Sequence, residues 1–203
     1  MTIKPSQTEK LLGGQLHQSL QWNHHLRDHK QSLMKQLTSR INGLKRVCGS
    51  ASFKTKLMVA NGIVMSKLMY LIVVWGGAQQ YLLSALQVQQ LTAARAVCGF
   101  GSWGWSKKRL LDRTGWLSIR QLIFFHTVLQ TYKINSTKVP KSIYKSLITR
   151  YNGMIHQEEI PQSSFRYRAM KSFNQVPVSV RTGSRATVKR KLKLWVKSNL
   201  PID

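Results

Sequence analysis

Carboxylate catalysis needs two acids that converge in space, as a general acid–base pair or as a two-metal clamp. This 203-residue chain holds six acids. Asp28 and Asp112 fall on separate expected helices, and Glu158 and Glu159 are neighbours in an expected loop. No pair is placed to converge, so no catalytic residue is assigned and the chain is read as a non-enzyme. Histidines offer the next chemistry. His24, His25 and His29 cluster, with His25 and His29 one helical turn apart. A zinc ion would need two further ligands, for which His17 and Cys48 are the near candidates. A surface histidine pair is the simpler reading, and no metal is expected. Cys98 and His126 suit a nucleophile and its base, but no third group is visible to orient the base. Both fall at core-facing or helix-end positions, where burial is the expected role. Gly99-Phe-Gly-Ser-Trp-Gly104 has the spacing of a dinucleotide-binding loop. That motif needs a strand before it and an acid about 20 residues after it. A helix is expected before it and no acid stands at that distance. It is read as a flexible loop, and no cofactor is expected.

Trp103, Trp105, Lys107, Lys108 and Arg109 form the cluster richest in binding chemistry. Two exposed rings beside three cations suit single-stranded or junction nucleic acid, by base stacking and phosphate contact. Alternatively, the rings fold back over the core beneath the loop. Lys189-Arg190-Lys191-Leu192-Lys193 offers a similar choice. It is a phosphate-contacting helix face, a nuclear-targeting patch or a solvated helix end.

These residues need elements to hold them. Residues 10–16, Lys-Leu-Leu-Gly-Gly-Gln-Leu, are short, apolar and glycine-bearing, which predicts a strand or hairpin edge. From 26 to 47 the period is helical. Leu33, Leu37, Ile41 and Leu44 make one stripe, while Lys30, Lys35, Arg40 and Lys45 lie off it. Ser52 is an expected N-cap for a helix over 52–75, apolar over most of its surface and therefore central in a bundle. Leu57, Ala60, Val64, Leu68 and Leu71 line one face of it. Lys67 at its centre argues against a membrane span, since a mid-bilayer lysine costs roughly 2.5–3.5 kcal/mol. Further helices are predicted over 79–97, over 106–114 between Ser106 and Gly115, over 118–132, within 139–151 and over 186–199. The fold class is mainly α: a helical bundle with a short N-terminal strand or hairpin and a short helical C-terminal tail.

Lys and Arg number 32, giving a formal net charge of +26. No acid stands between Asp28 and Asp112. Such a chain repels itself when folded, and a polyanion relieves that repulsion. Nucleic acid is the expected partner, with an anionic membrane surface as the rival. Two cysteines far apart and no apolar leader after Met1 point to a reducing intracellular compartment, nuclear or cytoplasmic, rather than secretion.

Several blocks, in order, resemble the region that follows the catalytic motifs in reverse transcriptases of non-LTR retrotransposons. Lys10-Leu-Leu-Gly13, then Leu20-Gln-Trp22 and His25-Leu26, is similar to the family's K-L-L-G … L-x-W-x-x-H-I block. Leu71 to Gly76 ends V-V-W-G, like the family's helix closing on Trp-Gly. Gln89 to Gly99 is similar to Q-x-x-A-x-R-x-I-x-G, and Leu110-Leu … Gly115-Trp-Leu-Ser-Ile119 with Tyr132-Lys-Ile134 to L-x-x-L-G-W-L-x-L … Y-K-I. Phe165-Arg-Tyr-Arg, Phe173-Asn-Gln-Val-Pro177 and the stretch from Val188 to Trp195 match the family's closing segment, with Phe173 in place of its usual Trp. His17 stands where the family often has Asp.

The resemblance implies a palm-like strand segment over 1–25, a thumb-like helical bundle over 26–135 and a basic C-terminal extension over 136–203. The family's palm aspartates would lie before Met1, so polymerase chemistry is not carried over. The implied role is to grip a template–primer duplex, of RNA, DNA or both, beside a separate palm-bearing polypeptide. A relic of a transposable element with no selected role is the alternative. Phosphate contacts are expected from Lys30, Lys35, Arg40, Lys45, Arg46, Lys54 and Lys56, and from Lys107, Lys108 and Arg109 beside Trp103 and Trp105. Arg166, Arg168, Lys189, Arg190, Lys191 and Lys193 extend the set.

Overall fold

The computed structural model describes residues 6–19, 21–47, 49–147 and 164–202. Cys48, Glu158, Glu159 and the end of the helix expected within 139–151 lie outside the described residues. The chain is mainly helical, with a two-stranded antiparallel hairpin near its N-terminal end. It forms two compact units, Met1–Leu71 with Ala78–Ile119, and Ile72–Gly77 with Arg120–Asp203. These boundaries divide the chain differently from the three spans expected from sequence. No helix among the described residues is long and apolar enough to cross a membrane.

In the first unit, β1 (Thr8–Leu11) pairs with β2 (Gly14–His17), Leu11 standing opposite Gly14. The two residues between them, Leu12 and Gly13, have φ of 47° and 77°. A two-residue hairpin loop with both φ positive matches the strand twist. The hydroxyl of Tyr70 donates to the Leu12 carbonyl and ties this tip to the helices. One wide helical turn, His24–Asp28, follows. His29 is extended (ψ 151°), so the helix expected from 26 begins instead as α1, Leu33–Val47. Its stripe of Leu33, Leu37, Ile41 and Leu44 is buried, as the periodicity predicts.

Ser52 caps α2 (Phe53–Ala60), its hydroxyl accepting the Thr55 N–H at 3.2 Å. The helix then widens into a π-type turn, Asn61–Met65, before α3 (Ser66–Met69). Such turns disturb the regular ladder of carbonyl acceptors. Here the Ser66 hydroxyl donates to the Gly62 carbonyl and Arg40 donates to that of Ile63 at 2.6 Å. The indole N–H of Trp116 donates to the Asn61 side chain at 2.8 Å.

The expectation of one helix through residue 75 is corrected. The helix stops at Met69, Tyr70 is extended and Leu71 takes φ 55°. No glycine or proline marks this break, so periodicity does not reveal it. The central position expected for this helix is corrected as well. Met58 is 68% exposed, and α5 (Gln80–Cys98) is the helix packed against α1, α2 and α6 (Lys107–Thr114). Gln90 is buried in α5 and donates to the Leu117 carbonyl at 2.8 Å. Ser106 caps α6, and Gly115 closes it in the left-handed conformation, as expected.

The second unit contains α4 (Ile72–Trp75), α7 (Ile119–Thr137) from Arg120 onward, α8 (Lys141–Ser146), α9 (Phe165–Gln175), α10 (Val178–Arg181) and α11 (Arg185–Asn199). Val128, Ile134, Met170, Phe173, Val188, Leu192 and Val196 are among its buried residues. Helices α9 and α10 were not expected. The apolar positions of α9 are few, but Ser164 caps it by accepting the Tyr167 N–H at 3.1 Å.

Candidate nucleic-acid interface

Gly99 ends α5 with φ 86° and ψ −176°, a region essentially reserved for glycine. The chain then makes a short helical turn, Phe100–Ser102. Ser102 is fully buried and its hydroxyl donates to the Gly99 carbonyl at 2.6 Å. The expected flexible loop is therefore a pinned turn. Helix α5 precedes it, which excludes the dinucleotide reading. The turn leaves Phe100 92% and Trp103 72% exposed. Both rings line a cleft of about 290 Å³ with Lys45 of α1, Lys56 of α2 and Arg95 of α5. Leu44, Gly49, Thr92, Ala96 and Gly99 complete the lining, which includes no acid. Lys56 is positioned by donating to the Gly49 carbonyl at 3.0 Å.

Trp105 turns elsewhere. It lines a larger cleft of about 580 Å³ with Ser106, Lys108, Arg109, Asp112 and Arg113. The guanidinium of Arg109 lies 4.2 Å from the centre of its ring, a cation–π contact. The expectation of two exposed tryptophans in one cluster is thus corrected. Trp103 is exposed, Trp105 is half-buried under its own chain's arginine, and they line different clefts. Lys107, Lys108 and Arg109 are exposed on α6. Sequence reasoning missed Arg95, Phe100 and Arg113. Arg95 and Phe100 flank a helix-ending glycine, a local signal that could have drawn them in.

Other expected contacts sort by how much of each cation is free. Lys30, Lys35, Arg46 and Lys54 are exposed in the first unit. Arg40 is half-buried and donates to the Ile63 carbonyl, which gives it a structural role. Lys67 sits nearby, its ammonium pushed below the usual range by burial and by the charges of Arg40 and Lys10.

In the second unit, Arg166 and Arg168 are half-buried. Arg168 donates to the Val73 carbonyl at 2.7 Å, and burial lowers its pKa. A partly buried guanidinium held this way helps to position α9. Lys189, Arg190, Lys191 and Lys193 are exposed on α11, with Lys191 donating to the Ser179 carbonyl at 2.9 Å. Lys189 and Arg185 share a cleft of about 460 Å³ with His126 and Gln130. Burial and the charge of Lys189 push His126 down from the ordinary histidine value.

The expected surface pair of histidines is corrected. His25 is buried, and its Nδ1 accepts the Gln15 N–H at 3.3 Å. His29 lies beyond the helical turn, and His17 stacks on His24 at 4.2 Å between ring centres. Among the described residues no group of three or more His, Cys, Asp or Glu could share a metal ion. Cys98 is a free, half-buried thiol pushed up by burial, the opposite of an activated nucleophile. No family model, curated protein or solved structure matches the chain.

Proposed function

We propose that this chain is a non-catalytic nucleic-acid-binding protein. It holds a duplex through its phosphates, as implied by its resemblance to the thumb and C-terminal region of non-LTR retrotransposon reverse transcriptases. The observation that carries this reading is the grouping of like charges. Lys45, Lys56 and Arg95 share one cleft, Lys108, Arg109 and Arg113 another, and Arg185 and Lys189 a third in the second unit. Six acids are too few to neutralise 32 cations, and one of them, Asp28, is taken by Arg27 at 2.6 Å. Cations gathered in this way repel one another, and phosphate oxygens remove that repulsion.

Binding of this kind reads little sequence and depends steeply on salt. With about six phosphates neutralised, affinity falls roughly a thousandfold between 50 and 200 mM salt. Fluorescence anisotropy with labelled DNA and RNA–DNA duplexes measures this. Salt-independent binding, or none, overturns the reading, as does flotation with anionic vesicles that a duplex does not compete away.

A further inference from the structure

We infer that the cleft between α1, α2 and α5 is a nucleotide pocket for a single unpaired base, so that the protein prefers duplexes carrying a single-stranded overhang. This rests on the reading above and adds a substrate feature to it. Phosphate contacts alone need no aromatic side chain. Yet Phe100 and Trp103 stand largely exposed on the wall of a cleft whose other prominent side chains are Lys45, Lys56 and Arg95. Large rings left in water have unused apolar area, and a base has two π-faces that can cover it.

The shape points to one nucleotide. A volume of about 290 Å³ lies at the small end of ligand sites, which run from about 300 Å³ upward. Leu44 and Ala96 add apolar lining, and the three cations supply donors for a phosphate. A base paired inside a duplex shows only its edges, so the rings can stack only on one that is unpaired or at an end. The lining offers no acid, which disfavours a cationic or peptide-amine ligand and favours an anionic one. The turn that presents the rings is fixed by Gly99 and by the buried Ser102 hydroxyl, so the pocket is organised before any ligand arrives.

The test compares a blunt duplex with the same duplex bearing a short single-stranded overhang, using the full chain in anisotropy titrations. The wild type is expected to bind the overhang duplex at least about fivefold more tightly, the lower end of what stacking one base contributes. Trp103→Ala and Phe100→Ala should each reduce that preference, weakening overhang-duplex binding more than blunt-duplex binding. Trp103→Tyr should restore it, because a smaller ring still stacks. Both positions are exposed, and unchanged thermal midpoints exclude misfolding. Equal affinity for the two duplexes, or a preference indifferent to both alanine variants, overturns the pocket while duplex binding stands. Absence of binding to either duplex overturns the pocket together with the general reading. Loss of anionic-vesicle binding in Trp103→Ala, with overhang preference retained, assigns the rings to a membrane surface and overturns it as well.

Discussion

The guanidinium of Arg40 donates to the main-chain carbonyl of Ile63 at 2.6 Å, bridging α1 to the wide turn that interrupts α2 and α3. Arg40 lies off the apolar stripe and reads from sequence as a solvent-facing phosphate contact, but this bond gives it a structural role. Hydrogen bonds to charged groups contribute roughly 1.5–3 kcal/mol, and partial exposure places this one near the lower end. Arg40→Ala is therefore expected to cost about 1.5 kcal/mol of stability, read as a lower urea midpoint with an unchanged m-value. Its duplex affinity, measured under native conditions, should stay near wild type.

The opposite pattern is expected of the cleft cations. Replacing Lys45, Lys56 and Arg95 together by glutamine should weaken binding alike across sequences. It should also reduce the dependence of log affinity on log salt by about three, one per phosphate contact. Denaturation midpoints should move little, since Lys45 is exposed and Lys56 contributes only a surface hydrogen bond to Gly49. An unchanged salt slope would place phosphate contact elsewhere on the molecule.

Gly99 links backbone conformation to the pocket. A Cβ there meets no atom within 4 Å, so its substitution is a test of φ alone. Gly99→Ala should cost about 1–3 kcal/mol for a residue held outside its allowed regions. Relief of that strain moves the turn carrying Phe100 and Trp103. Both the thermal midpoint and the overhang preference are expected to fall, with blunt-duplex binding retained.

Gly76 is constrained by space instead. A Cβ would lie 2.6 Å from the Ile72 carbonyl oxygen and 2.8 Å from a methyl of Ile123. Gly76→Ala should destabilise by about 1–3 kcal/mol through overpacking, seen as a lower denaturation midpoint.

Stability should also decline in mild acid. Burial and the nearby Lys67 hold His25 below its ordinary value of 6.5, so the folded state favours the neutral ring. The neutral ring's Nδ1 accepts the Gln15 N–H and anchors the hairpin. Above pH 6.5 neither state is mostly protonated and the stabilisation is complete. As pH falls below 6.5 the unfolded chain binds the proton first, and stability is lost until the folded-state pKa is passed. Urea midpoints measured from pH 7.5 to 5 should fall accordingly. His25→Gln should show a shallower decline over the same range.

Local chemistry was legible without tertiary information. Ser52 and Ser106 cap helices where hydroxyl-bearing residues precede apolar periods, and Gly115 closes α6 because only a left-handed residue ends a helix that way. The buried stripe of α1 follows from the 3.6-residue period, and the mainly helical class follows from several such stripes. The net charge is a matter of composition alone. What periodicity could not contain were events decided by residues distant in sequence. The helix ends at Met69 with no breaker, beside a Tyr70 whose hydroxyl reaches back to Leu12. Residues 72–77 belong with the second unit although the chain on either side of them belongs to the first. Arg40 and Arg168 are drawn onto main-chain carbonyls far along the chain, and Trp103 and Trp105 part company across one tight turn. A side chain's neighbours depend on how several helices pack at once, so a local pattern can name the cations but only the assembled fold can say which of them share a cleft.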